Sequence, residues 1–196
     1  MQLIMKNVIK VLAAFALIFS ANFTYAQDNN QDAHDIVINV PEVALLDLET
    51  NGNRTIKLQP EAPTEAGERL DFSKASNKDL WLNYSSIVSK ENEPTRKVTV
   101  AITAGQVPNG LRVDLQASPA LEGSGNLGKP ADVLTLSENP QDLIVDIGSA
   151  FTGNGVNHGH NLAYKLDMLN TDRNTDGYLD YDTSGSITIT YTLTDN

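Results

Sequence analysis

Ile187 to Thr194, ITITYTLT, sets Ile187, Ile189, Tyr191 and Leu193 against Thr188, Thr190, Thr192 and Thr194. Side chains alternate across a strand with period two, so this stretch presents one apolar and one hydroxylated face. β-Branched and aromatic residues suit such a pleated, half-buried surface. The spacing predicts a strand at the end of the chain, with its apolar face on a core.

The same period recurs upstream. Asn161 to Met168 places Leu162, Tyr164, Leu166 and Met168 on one face, and Arg96 to Thr103 does so with Val98, Val100 and Ile102. Pro108-Asn109-Gly110 supplies a turn into Leu111 to Ala117, where Leu111, Val113 and Leu115 alternate with polar residues. In Asp79 to Ser85, Leu80, Leu82 and Tyr84 oppose Trp81 and Asn83. Two further apolar segments, Asp132 to Leu136 and Asp142 to Ile147, read as strands, although the second would also start a helical turn. Near the front, Asp35 to Val40 (DIVINV) aligns Ile36, Ile38 and Val40 as a first strand, Pro41 interrupts it, and Val43 to Leu48 resumes pairing. Thr55 to Leu58 is a short alternating segment after the Asn51-Gly52 turn. No comparable amphipathic helix occurs. Seven to nine short strands divided by Gly, Pro and Asn turns predict an all-β fold, a single antiparallel β-sandwich of Ig-like topology.

The N-terminus reads differently. Lys6 and Lys10 precede an apolar run from Val11 to Ala21, and Thr24-Tyr25-Ala26 offers a small-residue exit, the pattern of a secretory signal peptide spanning Met1 to Ala26. The run is shorter than the roughly 20 apolar residues that cross a bilayer. Removing 26 of the 196 residues would leave 170, one ordinary domain, with a flexible polar start at 27–34 and the sandwich over 35–196. An exported product, periplasmic, cell-surface or extracellular, is expected. The leader holds two lysines and no acid, so its loss takes the formal net charge from −11 to −13. Nucleic acid and anionic lipid are poor partners for such a chain. Without cysteine, stability cannot come from disulfides.

Asp172 to Asp182, DRNTDGYLDYD, matches the first nine positions of a calcium loop, D-x-N-x-D-G-x-x-D. Asp172, Asn174 and Asp176 would supply side-chain oxygens, Gly177 the sharp turn, Tyr178 its carbonyl, and Asp180 a direct or water-mediated contact. Leu179 occupies the apolar position of such loops. Locally the segment resembles EF-hand and dockerin loops, but Thr183 stands where a bidentate acid belongs, and Asp182 would substitute one residue early. The alternative is an acidic hairpin loop in which the same residues serve turn chemistry.

Other motifs carry less. His158-Gly159-His160, in a Gly and Asn loop, lacks a third nitrogen or sulfur ligand and reads as a solvated loop. Gly123 to Gly128 spells G-x-G-x-x-G, but Lys129-Pro130 follows and no helix is in sight, so a dinucleotide site is rejected. With no G-x-S-x-G elbow and no cysteine, no enzymatic role is expected. Trp81, the single tryptophan, either packs beside the core or forms an exposed ligand platform.

The order of DIVINV near the start, RKVTVAI with its Pro-Asn-Gly turn in the middle, and GSITITYTL at the end resembles the pilin-like β-sandwich families of bacteria, such as colonisation-factor fimbrial subunits and spore coat U type domains. That resemblance implies a subunit that assembles by β-strand addition, with Ile36, Ile38 and Val40 as donor side chains. The alternative is that the segment pairs within its own domain. The expected function is a non-enzymatic structural or adhesive surface protein. The second hypothesis is a secreted, calcium-dependent module that binds a carbohydrate or matrix polymer.

Overall fold

The computed structural model describes residues 31, 33–92, 95–169, 179 and 185–196. It divides into two compact units, Met1–Asn39 and Val40–Asn196. The signal peptide at 1–26 lies outside the described residues. In the first unit, the described residues carry no strand.

In the second unit lie nine strands: β1 (Val43–Glu49), β2 (Ser76–Ile87), β3 (Arg96–Ala104), β4 (Leu111–Ala117), β5 (Ser124–Pro130), β6 (Leu134–Thr135), β7 (Gln141–Phe151), β8 (His160–Met168) and β9 (Thr188–Asp195). Every pairing is antiparallel, and there is no helix among the described residues. The all-β expectation holds. The strands form one hydrogen-bonded sheet in the order β6-β4-β8-β2-β7-β3-β9, with β1 added to β2 and β5 to β7. Strand β2 is the junction. Its first half pairs with β8, its second half with β1, and Ser85 and Ser86 reach across to Phe151 and Ala150 of β7.

That sheet is not flat. Four strand steps separate β8 from β9, about 19 Å at the usual 4.8 Å per step, yet the Tyr164 and Tyr191 hydroxyls are hydrogen-bonded to each other. The sheet must therefore fold over itself, and its alternating faces close on one core. Leu82, Val98, Val100, Leu115, Leu143, Ile144, Ile147 and Leu162 are fully buried in that cluster. Each contributes roughly 1.5–3 kcal/mol by leaving water. The faces read from the sequence for β2, β3, β4, β8 and β9 are the faces that point inward.

Three expectations need correction. Asp35–Val40 forms no strand; pairing begins at Val43, after Pro41. Thr55–Leu58 is also outside any strand, although Ile56 and Leu58 still pack against the core. Conversely, the glycine-rich stretch is itself strand β5. Gly123 and Gly125 adopt φ of +121° and +88°, and a Cβ at either would collide with the carbonyl oxygens of Phe151 or Ser149. Glycine is what lets β5 lie this close to β7. The segment from Asp142 is strand throughout, without a helical turn.

Candidate assembly site

The segment before β1 has the composition of a strand without its pairing. Ile36, Ile38 and Val40 are 73%, 82% and 72% exposed, and Val37 on the opposite parity is 83% exposed. Four apolar side chains in water within five residues are unusual where single exposed ones are common. The three sequence-predicted donor residues thus share one free segment.

Of the edges the sheet offers, the four peripheral strands differ sharply. Strand β6 has only two residues. Strand β5 is broken by glycines, a register shift and a terminal proline. On β1, the Asp47 carboxylate accepts the Leu48 amide proton at 2.8 Å and holds Arg54 at 3.2 Å, so side chains occupy that edge. Strand β9 carries fewer of these devices: its pairing with β3 shifts register once, between Ile102 and Ala104, and its one charged residue is the terminal Asp195. Over eight residues it has no glycine, proline or lysine, and among the described strands it pairs only with β3. Its inward residues Ile189, Tyr191 and Leu193 are half-buried against the core, which leaves apolar surface to cover. Long edges without glycine, proline or lysine are templates for a further strand.

The end of β9 meets the start of β1 at Arg96, a residue that the sequence marked only as the first of a strand. Its side chain is 2% exposed. Nε donates to Asp195 Oδ1 at 2.7 Å, Nη1 donates to the Val43 carbonyl and, at 3.3 Å, to that of Ile87, and Nη2 pairs with Glu42. A planar guanidinium with five donors can satisfy several segments at once, which a lysine could not. Here it joins β3 to the first residues of β1, the last of β2 and the last of β9. No sequence pattern announced it, because burial of an arginine is set by partners distant in the chain.

A second buried polar cluster fixes β2 to β8. His160 is fully buried; Nδ1 lies 2.7 Å from the Ser118 carbonyl, and Nε2 lies 2.9 Å from the Tyr84 hydroxyl. The Ser118 carbonyl can only accept, so Nδ1 carries the proton; the Tyr84 hydroxyl lies between Nε2 and the Leu127 carbonyl, with one proton for the two. Burial holds the imidazole below its ordinary pKa and pushes the Tyr84 phenol up. The solvated-loop reading of this histidine is corrected: its nitrogens are both committed to the core. His158 stands apart, with Nδ1 2.8 Å from Glu122 Oε2. Among the described residues, no group of three potential metal ligands converges.

The predicted calcium ligands Asp172, Asn174, Asp176, Tyr178, Asp180 and Asp182 lie outside the described residues. Leu179 is described and packs against the core, at a cavity it lines with Phe72 and Met168. Trp81 is half-buried on the face of β2 opposite Leu80 and Leu82, opposite Glu49 of β1 and Asn161 of β8. Neighbouring Asn83 is covered, donating to the Gly155 carbonyl at 2.7 Å. Compared with family models, curated proteins and solved structures, the chain has no match.

Proposed function

We propose that this chain is a non-enzymatic, exported structural or adhesive subunit that assembles by β-strand addition, with Ile36, Ile38 and Val40 as the inserted side chains. One observation carries the reading: Ile36, Ile38 and Val40 are exposed and outside any strand, in a chain whose last strand pairs on one side only among the described residues. In such an addition, backbone bonds supply affinity and alternate side chains supply fit. Covering three β-branched side chains gains roughly 1.5–3 kcal/mol each, which exceeds the ordering cost of about 0.5–1.5 kcal/mol per side chain on binding. The apolar residues of β9 would gain cover in the same step.

The purified exported protein is expected to form heat-resistant multimers. Ile36→Asp combined with Ile38→Asp should convert them to monomers without moving the melting temperature of the folded unit. A wild-type protein that is monomeric at every concentration, or a double variant that still assembles, overturns the reading.

A further inference from the structure

We infer that Pro41, Glu42 and Arg96 form a one-way hinge that denies segment Asp35–Val40 to its own chain and presents it to a second copy; the inference rests on the strand-addition reading. Of the four peripheral strands, β1 and β9 meet at Arg96, where the chain enters the sheet, and give two local routes by which the segment could pair at home. The first is a hairpin onto β1, in which Val40 would sit opposite Val43 and Pro41-Glu42 would be the two-residue loop. Such loops need a positive φ at their first position, and the proline ring locks φ near −65°. Neither Pro41 nor Glu42 has a positive φ.

The second route runs along β9. Arg96 bonds the Val43 carbonyl, the Glu42 carboxylate and Asp195, so the chain enters β1 beside the end of β9. Folded back from that corner, residues 35–40 would run in the same direction as β9. Every pairing in this sheet is antiparallel, and parallel pairs are slightly less stable per residue. Among the described residues no strand covers the outer edge of β9, and the same segment of a second molecule can arrive there from the opposite, antiparallel direction. The hinge therefore selects the intermolecular contact by closing the local one.

Replacing Pro41→Asn with Glu42→Gly installs the Asn-Gly pair that two-residue hairpins favour. The expected result is loss of multimers, with the amides of residues 36–40 becoming protected from hydrogen exchange in the monomer. Since Glu42 also anchors Arg96, Pro41→Asn with Glu42 retained is the second variant, for which a smaller loss in the same direction is expected. Multimers at wild-type strength in both variants overturn the hinge. The Ile36→Asp, Ile38→Asp protein separates the two ideas. If it is monomeric while both hinge variants assemble normally, the hinge alone fails; if it still assembles, strand addition itself has failed.

Discussion

DIVINV and ITITYTLT are nearly the same kind of sequence, and the molecule treats them in opposite ways. Both alternate β-branched apolar residues. Ile189, Tyr191 and Leu193 are packed against the core on β9, whereas Ile36, Ile38 and Val40 stand in water outside any strand. The difference does not lie in strand propensity. It lies in what each segment can reach: β9 has the whole length of β3 beside it, while the earlier segment is followed by a proline and a pinned corner. Alternation makes a segment competent to pair, and connectivity decides with what.

The sharpest way to break this comparison is to make one change in both places. Ile189→Asp buries a carboxylate at the core margin and is expected to destabilise the fold by about 3 kcal/mol. Ile38→Asp is expected to leave stability within about 0.5 kcal/mol while weakening assembly. Chemical denaturation of the two variants beside the wild type reads both effects. Equal losses of stability would mean that the two segments are packed alike.

A smaller effect tests what precedes β9. If Asp172–Asp182 takes calcium, the ion ties down the connection into the last strand, and saturating calcium at about one hundred times Kd should add about 2.7 kcal/mol to the folded state. Melting curves with and without millimolar calcium decide it. No shift removes the metal from the account, and Ile38→Asp should respond as the wild type does, because its segment lies elsewhere.

The smallest effect is set by pH. His160 is held below its ordinary pKa of 6.5 by burial, so the folded protein binds that proton less readily than the unfolded chain. Its contribution to stability is complete above 6.5 and is lost as pH falls from there toward the folded value. The Asp71 and Asp167 carboxyls are held below 3.8 by hydrogen bonds to Ser73 and Lys165, so their losses come only in stronger acid. A fall in melting temperature between pH 7.5 and 5 that disappears in His160→Gln locates the effect. Persistence of the fall in that variant would place it in another group.

Much of the sheet was legible because its strands have one wet and one dry face. Strands β2, β3, β4, β8 and β9 show this in side-chain parity alone. Strand β5 was not legible: Ser124–Pro130 is held by the nearness of two backbones, which glycine permits and no periodicity records. Arg96 and His160 were hidden for a related reason. Each is buried by partners more than forty residues away, the Asp195 carboxylate for one and the Ser118 carbonyl for the other, and a local pattern carries no trace of them. The candidate donor side chains were visible as a pattern, but their freedom from the sheet was not, since Pro41 alone could equally have marked a bulge.

The Tyr164 and Tyr191 hydroxyl pair, which joins β8 to β9 across the fold of the sheet, also gives the protein an optical gauge. Burial pushes the Tyr164 phenol up to about 12 and holds Tyr191 well above its ordinary value. In an alkaline absorbance titration, these rings should ionise above the ordinary phenol value of 10.0. A phenolate step lost from that high range would therefore mark the point at which β8 and β9 part.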